Sequence, residues 1–580
     1  MAGPAVAGDA LPEGNPRHSN NLSENERSER KGRWNVRCRP GAGSVVAMAF
    51  TKPAGSPGRL ARRLVGVAAA ALAIAVPGVG AAERFMSAEG GRFIDAQGRQ
   101  VILHGLNVVR KNDTWGSYAW LNEDGYARMR SWGMNCVRLG FTWAALEPSP
   151  GRYNEECLRW LERNVAWARR QGISVILDFH QDLYAARFSD GAPDWATLTD
   201  GRPHVAGGEA WSEAYVTSPA VQRAMDNFFA NRPGPDGVGL QVRFAAVWRK
   251  VAERFAREPA VIGYDLMNEP FAGGVVPQGT GAMMAAMAAE MNRAGRTPPI
   301  DLPGVAAMWS DKAGRAELLK ALGDLDRYGR VLDASEPLYT GFDRTVLQPF
   351  YQRVAASIRE VDREHLLLFE NNGAGNMGVR SALEPLTGPA GRRDPHQAYA
   401  PHGYDIVTDT AAAATASEAR LGLILDRHRA TATRLGLAMV VGEWGAFYGD
   451  AGARPAAEFI SRKFESLLCG DLYWALEKDL QDQAVFPAIC RPYPQGIAGE
   501  LREYGAEPRE LKFHCQWRES KGGNGVSRFY LPQQYAARLD RMKLTPGRAS
   551  FRVEPAGKGG DVFLTVPVTG GGGERSLSID

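Results

Sequence analysis

Neither sign of charge dominates this 580-residue chain, and histidine and cysteine are scarce in it. The 69 Lys and Arg residues nearly balance the 65 Asp and Glu residues, and much of the basic excess lies in the first hundred residues. No broad basic surface for nucleic acid is therefore indicated. The nine histidines form no HExxH pattern, and no cysteine spacing is typical of a zinc or iron–sulfur site. We expect neither a metal nor an organic cofactor.

Cysteine is also rare, and removal of an N-terminal leader would leave an odd number. Cys136 lies in an apolar run and is expected to be a buried thiol. A disulfide among the last three cysteines is compatible with an oxidising compartment. The connectivity does not follow from sequence. The six cysteines are Cys38, Cys136, Cys157, Cys469, Cys490 and Cys515.

The first 82 residues divide into two parts. Residues 1–47 are rich in Gly, Pro, Ser, Asn and charge, which predicts disorder or a start assigned upstream of Met48. Residues 48–82 contain three arginines, an apolar run from Leu64 to Val79 and then small residues, which is typical of a secretory signal. The alternative is an N-terminal membrane anchor, but the run is short for a span. We expect a secreted or periplasmic protein.

Between about residues 90 and 500, short apolar runs alternate with amphipathic helical stretches. Such alternation predicts parallel strands, and a count of eight favours a (β/α)8 TIM barrel over a doubly wound open sheet. We assign residues 83–500 to this α/β barrel. The predicted strands are Val101–Leu106, Cys136–Phe141, Ser174–Phe179, Val261–Met267, His365–Phe369, Ala398–His402, Met439–Val441 and Leu472–Leu476.

Two long insertions, residues 185–240 and 271–345, follow predicted strand ends, where barrel loops build the substrate site. The second insertion contains Met283, Met284, Met287 and Met291, which indicate either core packing or an adaptable apolar surface for a ligand. From residue 501 to 580 the pattern changes to short strands separated by Gly, Pro and Lys. This pattern predicts a small C-terminal β-sandwich domain.

Two glutamates follow buried strands of the predicted barrel. Glu269 ends the fourth strand in Asn268-Glu269-Pro270, and Glu443 ends the seventh strand in Glu443-Trp444-Gly445. Hydrolysis of a glycosidic bond requires two carboxyl groups, one to protonate the leaving oxygen and one to attack carbon or to activate water. A single glutamate in this position would be an ordinary solvated loop residue. Two of them predict a glycosidase.

Six motifs lie at the predicted barrel strands, in the order WGMNCVRLGFTW, LDFHQD, YDLMNEPF, APHGYD, GEWG and LYWALEKD. In these motifs the chain resembles clan-A glycoside hydrolases of the cellulase-like family 5, and specifically the endoglycoceramidase branch. The branch-level likeness rests on HGLNVVRK (104–111), EPSPGRYNEECLRWLERNVAWARRQGISVILDFHQDLY (147–184), GAPDWAT (191–197), VQRAMDNFF (221–229) and RPYPQGIAGE (491–500). The resemblance covers about residues 90–535.

The resemblance implies that Glu269 is the acid/base and Glu443 the nucleophile. Asn268 is expected to hold the substrate 2-hydroxyl, a contact that strengthens in the transition state. Tyr404 and Arg138 are expected to keep Glu443 ionised, although Arg138 could equally be a structural ion pair. The other implied sugar-binding residues are Lys111, His180, Asp182, Trp211, His402 and Trp474. Trp474 offers an aromatic face to a sugar, with core packing as the alternative.

One segment departs from the branch. A Pro-containing segment with a polar sugar contact is expected after the fifth strand, but here the chain reads Phe369-Glu370-Asn371-Asn372-Gly373. Either Asn371 or Asn372 replaces that contact, or the subsite recognises a different sugar.

The resemblance implies a retaining β-glycosidase that hydrolyses the glycan–ceramide linkage of glycosphingolipids by double displacement. Its substrate would be met at a micelle or membrane surface, and its oligomeric state does not follow from sequence. The alternatives are an endo-β-glucanase or mannanase acting on soluble polysaccharide, an exo-acting glucosylceramidase and a non-catalytic carbohydrate- or membrane-binding protein on the same fold.

Overall fold

The computed structural model describes residues 85–111, 118, 120–388, 390–522, 525–546 and 550–580. They belong to one compact unit. The predicted extension (1–47) and leader (48–82) lie outside the described residues. Within the described ranges, no helix has both the length and the apolar character needed to cross a bilayer.

Strands numbered along the chain begin with a short antiparallel trio that precedes the barrel. These are β1 (Ser87–Glu89), β2 (Arg92–Ile94) and β3 (Gln100–Val101). The first barrel strand therefore starts three residues later than the predicted Val101, because Gln100 and Val101 pair with another sheet.

Eight parallel strands then close into a barrel. The sixth strand is interrupted at Ala400 and Pro401 and is recorded as two segments, and the eighth strand pairs with the first. The barrel strands are β4 (His104–Val109), β5 (Cys136–Thr142), β6 (Ser174–His180), β7 (Val261–Asp265), β8 (Leu366–Phe369), β9 (Gln397–Tyr399) with β10 (His402–Gly403), β11 (Val440–Gly445) and β12 (Gly470–Trp474). The predicted TIM barrel is confirmed.

Helices occupy the connections, and five of them form the insertion between the fourth and fifth barrel strands. The helices are α1 (Glu123–Ser131), α2 (Trp143–Leu146), α3 (Glu155–Arg170), α4 (Ala214–Thr217), α5 (Pro219–Phe229), α6 (Leu240–Phe255), α7 (Val275–Arg293), α8 (Leu302–Ser310), α9 (Lys312–Ala321), α10 (Leu325–Asp333), α11 (Glu336–Phe342), α12 (Gln348–Arg359), α13 (Glu418–Leu435), α14 (Arg454–Leu467), α15 (Phe486–Ile489) and α16 (Gln533–Ala536).

Local sequence explains the regular connections, as α3 illustrates. The Asn154 side chain caps its first turn by accepting a hydrogen bond from the Glu156 amide. Leu158, Leu161 and Val165 recur at helical spacing and are buried against the barrel. Gly172, with φ +67°, turns the chain into β6.

The C-terminal strands form two antiparallel sheets, as the predicted β-sandwich requires. One sheet has the order β1-β2-β3-β13-β16-β19-β18, and the other has the order β14-β15-β20-β17. Rings from the two sheets meet between them, with the Trp517 and Phe529 centroids 5.5 Å apart. The strands are β13 (Tyr493–Ile497), β14 (Glu500–Glu507), β15 (Lys512–Glu519), β16 (Val526–Leu531), β17 (Met542–Thr545), β18 (Arg552–Pro555), β19 (Val562–Pro567) and β20 (Gly573–Ile579).

The sandwich packs on the amino-terminal side of the barrel through buried polar contacts. The Tyr493 hydroxyl donates to the Gly133 carbonyl at 2.6 Å, and the Tyr530 hydroxyl donates to the Ser131 carbonyl at 2.9 Å. Because the larger sheet also contains β1–β3, both ends of the described chain contribute to the sandwich. The predicted domain boundary at residue 500 stays a prediction.

All five described cysteines are free and buried, including Cys136 as predicted. The disulfide considered among Cys469, Cys490 and Cys515 does not form. Each of these thiols is buried in the interior instead.

Candidate active site

Polar side chains from several barrel strands converge at the carboxyl end of the barrel. Glu269 follows β7, His402 begins β10 and Glu443 lies within β11, directly beside His402 in the strand register. One side-chain ligand atom from each of these three residues lies within 4.8 Å of those of the other two. Glu443 is inside a strand that extends to Gly445, rather than after its end as predicted. The two predicted catalytic carboxylates therefore share one cleft.

The Glu443 carboxylate is held at both oxygens. Arg138 Nη1 donates to Oε1 at 2.6 Å, and the Tyr404 hydroxyl donates to Oε2 at 2.9 Å. Burial raises the pKa of Glu443, while the charges of His402 and Arg138 oppose that rise. Donors at both oxygens fix the orientation that a nucleophile needs.

Glu269 has a different environment. Its Oε1 accepts a hydrogen bond from Asn376 Nδ2 at 2.7 Å and lies 2.9 Å from His402 Nδ1. Its backbone has φ +42°, a conformation rare for residues other than glycine. Two contacts hold that conformation, because the Glu269 amide donates to Glu370 Oε2 at 2.9 Å and Gln181 Nε2 donates to the Glu269 carbonyl at 2.8 Å.

Arg138 is completely buried beneath the two glutamates. Its guanidinium contacts four carboxylates, those of Asp178 (2.8 Å), Asp265 (2.8 Å), Glu370 (3.1 Å) and Glu443 (2.6 Å). It also donates to the side-chain oxygens of Asn107 and Asn268. Both roles considered for Arg138 are therefore present in the geometry, since it contacts the predicted nucleophile and also pairs with structural carboxylates.

His402 adds a second positive charge to this cluster. Burial opposes its protonation, but the carboxylates of Glu370 and Glu443 outweigh burial and raise the pKa of His402 well above its usual value. Its Nε2 lies 3.2 Å from Glu370 Oε1. A protonated His402 donates from Nδ1 to Glu269, and its positive charge also faces Glu370.

A second polar group lies at the carboxyl end of β6. His180 Nδ1 lies 2.9 Å from Asp178 Oδ2. Burial disfavours the charged imidazole, but Asp178 and Asp182 raise the pKa of His180 to about 10. Lys111 forms an ion pair with Asp182. Burial and the charge of Asp182 raise the pKa of Asp190 to about 7.

Two tryptophans flank the cleft. The Trp474 ring stacks on His180, with centroids 5.3 Å apart and an interplanar angle of 12°, and Lys111 Nζ lies 4.8 Å from its centroid. The Trp211 indole N–H donates to Asp409 Oδ2 at 2.9 Å, and 38% of this residue is exposed. Both rings line the cleft, so neither is core packing.

The structure brings all eleven predicted site residues to one place. Eight line the cleft, and Arg138, Asn268 and His402 are buried directly behind them. The lining residues are Lys111, His180, Asp182, Trp211, Glu269, Tyr404, Glu443 and Trp474.

Sequence reasoning missed Glu370, which contacts Arg138, His402 and the Glu269 amide. It follows β8, so the rule that identified Glu269 could also have found it. Asn371 and Asn372, considered as sugar contacts, are buried and bonded to the protein instead. Asn371 Oδ1 accepts from the Tyr399 hydroxyl, and Asn372 Nδ2 donates to Asp343. Asn376 lies closer to the chemistry than either.

Three groups in the described part of the chain have side chains of metal-ligand type within 4.8 Å of one another. They are His180, Asp182 and Asp190, then Asp265, Glu370 and His402, and finally Glu269, His402 and Glu443. In each group a protein cation, Lys111 or Arg138, already contacts at least one carboxylate.

An apolar groove opens from the catalytic pair toward the insertion that follows β7, and the cleft and the groove together have a cavity volume of ≈ 390 Å³. Its walls come from helices α7–α11 and from Phe271. Met283, Met284 and Met287 line it, so these methionines face a cavity as well as the core. Val305, Leu318 and Leu332 continue the apolar wall.

The arrangement suits displacement at a sugar carbon. One carboxylate bonded to an arginine and a tyrosine can attack, and the other, beside an imidazole and an amide, can deliver and recover a proton. The separation of the two carboxylates decides between the two stereochemical routes. About 5–5.5 Å is typical of retaining glycosidases, whereas inverting enzymes need roughly 6.5–9.5 Å for a water molecule. Here one carboxylate oxygen of Glu269 lies within 4.8 Å of one of Glu443, which agrees with the retaining route.

Comparison with known proteins agrees with this geometry. The sequence model of the family described as Cellulase (glycosyl hydrolase family 5) matches residues 94–311 and 329–479. The endoglycoceramidase of Hydra vulgaris is 28% identical over 305 residues, which is 48% of this chain and 47% of that protein. Endoglycoceramidase I of Rhodococcus hoagii (strain 103S) is 31% identical over 191 residues, 32% and 37% of the two chains.

A solved structure of endo-glycoceramidase II from Rhodococcus sp. in complex with a five-membered iminocyclitol matches with a TM-score of 0.61 at 25% identity. The match covers 84% of this chain and 99% of that chain. This chain spans about half the length of the curated endoglycoceramidases of Hydra vulgaris and Cyanea nozakii, 47% and 49% respectively. The matched family segments include every predicted site residue, and the predicted family is confirmed. The chain belongs to glycosyl hydrolase family 5.

Proposed function

We propose that this protein is a retaining endoglycosidase that cleaves the bond between the glycan and the ceramide of glycosphingolipids. The observation that carries the proposal is the apolar groove that begins at Glu269 and runs into the insertion of helices α7–α11. A leaving group protonated by Glu269 departs on that side of the sugar. A groove walled by methionine and aliphatic side chains accommodates a lipid leaving group.

Comparison supports the same substrate class. The endoglycoceramidases of Hydra vulgaris and Cyanea nozakii match over 305 and 307 residues, and endo-glycoceramidase II from Rhodococcus sp. has been solved as a lactosyl-enzyme intermediate. A covalent intermediate in that protein agrees with the short separation of the carboxylates here.

Such a substrate lies in a micelle or membrane, so the enzyme must meet a lipid surface transiently. Export agrees with a substrate exposed on cell surfaces. Export rests on the predicted leader at residues 48–82, and release rather than anchoring rests on the shortness of its apolar run.

A substrate panel tests the proposal. Purified protein is assayed on lactosylceramide, longer glycosphingolipids, glucosylceramide and cellulose-type oligomers, with the products identified by mass spectrometry. Release of intact glycan and ceramide from the longer lipids is expected. Hydrolysis of the oligomers alone would contradict the proposal, and release of single glucose units alone would indicate an exo-acting enzyme.

A variant in the apolar groove tests whether the lipid part of the substrate binds there. Met283→Glu places a carboxylate in the apolar wall while keeping a good helix former. The ratio of kcat/KM for lactosylceramide to kcat/KM for a water-soluble aryl lactoside is expected to fall about tenfold or more, which corresponds to roughly 1.4 kcal/mol. The matched control is Met283→Leu, which keeps the wall apolar. Equal ratios for both variants would show that the lipid does not enter this groove.

The pH dependence of activity tests the assignment of the nucleophile. Glu443 must be ionised to attack, so activity falls as the pH drops through its pKa, which burial already raises. Tyr404→Phe removes a donor to the ionised form, and the acid limb of kcat/KM should therefore move to higher pH. A hydrogen bond to a charged group contributes roughly 1.5–3 kcal/mol, which predicts a shift of about one to two pH units.

The control for this profile is Tyr126→Phe, because that hydroxyl bonds Asn164 away from the cleft. Both variants are measured on an aryl β-glycoside. An unmoved acid limb in Tyr404→Phe would contradict the role given to Glu443.

A further inference from the structure

A second cavity, of ≈ 770 Å³, opens beside the cleft and has a different character from the apolar groove. Tyr118 and Trp120 form part of its wall after β4, and residues 476–484 form another part after β12. Tyr448, after β11, lines both this cavity and the catalytic cleft. The two cavities therefore meet at that ring.

We infer that this polar cavity holds the third and later sugars of the glycan and that it selects neutral sugars over acidic ones. The inference deepens the proposed function, since it rests on the removal of an entire glycan.

The barrel order gives the direction of the glycan. Glu269 protonates the leaving oxygen, so the leaving group lies on the side of β7 and the helices that follow it. Glu443 attacks the sugar from β11, and the sheet continues from β11 through β12 to β4. Sugars that extend away from the leaving group are directed toward the loops that follow these three strands. Those loops build the polar cavity.

Lys111 connects the catalytic cleft to this cavity. Its ammonium lies 4.8 Å from the Trp474 centroid and lines the cleft. Burial raises the pKa of Tyr118, and the positive charge of Lys111 opposes the rise. The ammonium is thus near Tyr118 of the polar cavity as well as Trp474 of the catalytic cleft.

The wall combines aromatic rings with hydrogen-bonding groups, as sugar sites do. Tyr448 is 59% exposed and offers its ring to a ligand. The carboxylates of Glu477, Asp479 and Asp482 outnumber the one ammonium in the described lining, that of Lys478. Carboxylates accept hydrogen bonds from sugar hydroxyls, but they repel the carboxylate of a sialic acid.

Soluble aryl β-glycosides test the inference without a lipid. The series carries neutral glycans of one to four sugars, together with a trisaccharide that ends in sialic acid. We expect kcat/KM to rise about tenfold when a third neutral sugar is added, the equivalent of roughly 1.4 kcal/mol of binding. The sialylated trisaccharide should gain nothing, and its deficit should shrink in about 1 M salt, which screens exposed charges.

The double variant Asp479→Asn, Asp482→Asn is expected to lower the ratio of neutral to sialylated kcat/KM at least about threefold. Two residues are changed together because surface charge pairs are individually weak. The control is Asp540→Asn, which removes one negative charge from an exposed residue outside the cavity and should keep the wild-type ratio. Calorimetry of the free trisaccharides with the Glu443→Gln protein repeats the comparison without turnover.

Absence of any gain from the third neutral sugar, in both kinetics and calorimetry, would overturn the inference. So would a neutral-to-sialylated ratio that neither salt nor the double variant changes. Because these glycosides carry no lipid, their results are independent of whether ceramide glycosides are cleaved. Failure of the lipid panel alone would reject the proposed function and leave the cavity assignment in place.

Discussion

Glu443→Gly is expected to abolish hydrolysis of an aryl β-glycoside, with kcat lowered on the order of 10⁴-fold or more, as when a nucleophile is removed from other covalent enzymes. Azide should restore turnover, because the missing side chain leaves room for a small anion between Arg138 and Tyr404, which both contact this carboxylate. The product should be the α-glycosyl azide, since azide attacks once from the face that Glu443 occupied. Product anomers are assigned by NMR.

Glu269→Ala serves as the matched variant, because it removes the other carboxylate. Loss of acid/base catalysis is expected to cost about 10²–10⁴-fold. With a good leaving group, Glu443 still forms the covalent intermediate and azide intercepts it, which gives the β-glycosyl azide. Opposite anomers from the two variants would establish the two roles. The same anomer from both, or a rate of hydrolysis that either change leaves undiminished, would contradict the site assignment.

The barrel was predictable because its strands are buried on both faces and therefore read as apolar runs. Cys136–Phe141 and Ser174–Phe179 were each placed within one residue of the observed strands. The strand ends were harder to place. Gln100 and Val101 have the apolar neighbours of a barrel strand, but they pair with β2 and β13 because both ends of the described chain meet in one sheet. Pairing over such a sequence distance leaves no local pattern.

The features of the site likewise divide into those that the sequence predicted and those that it did not. Glu269 and Glu443 were visible because each follows or lies in a strand and is flanked by Pro, Trp or Gly. Asn376 was not visible, since it reaches Glu269 from a short 3₁₀ turn after β8 that no sequence period marks. The apolar groove was only suggested by its methionines. Its walls come from five helices, and their arrangement depends on packing that local sequence does not encode.

The cluster beneath the catalytic pair was the least predictable feature, although it has the largest electrostatic consequences. Asp178 and Asp265 lie within apolar strands, where a single carboxylate does not identify its partner. In the strand register, Asp178 of β6 lies beside Asp265 of β7. On the other side of β6, the neighbour of Asp178 is Gly140 of β5, and Arg138 lies two residues before Gly140 on that strand. Burial raises the pKa of Asp265 well above its usual value, with Arg138 opposing the rise. The guanidinium therefore compensates several buried acids at once.

Arg138→Met is expected to be the most destabilising single change near the site. It removes the cation shared by Asp178, Asp265, Glu370 and Glu443 and keeps a side chain of similar length. Leaving one buried charge without its partner costs about 3–5 kcal/mol. Asp178 keeps its contact with His180, and Glu370 and Glu443 keep theirs with His402, but Asp265 loses the cation it pairs with. A loss in the free energy of unfolding of at least that size is therefore expected at neutral pH. Urea denaturation followed by fluorescence measures it.

The matched control is Arg420→Met, because Arg420 is also buried but pairs with the single carboxylate of Asp405, at 2.8 and 2.9 Å. Without Arg138 the folded-state pKa values of the carboxylates rise above their unfolded values, so the destabilisation is absent below about pH 4 and grows as the pH increases through the raised pKa values. The difference between the two variants in the loss of unfolding free energy should therefore narrow on acidification.

Arg138→Lys should recover part of the stability, since an ammonium keeps the charge but lacks the planar fork of donors that reaches several acids. A loss in Arg138→Met no larger than that in Arg420→Met at neutral pH would show that the four carboxylates do not depend on this guanidinium.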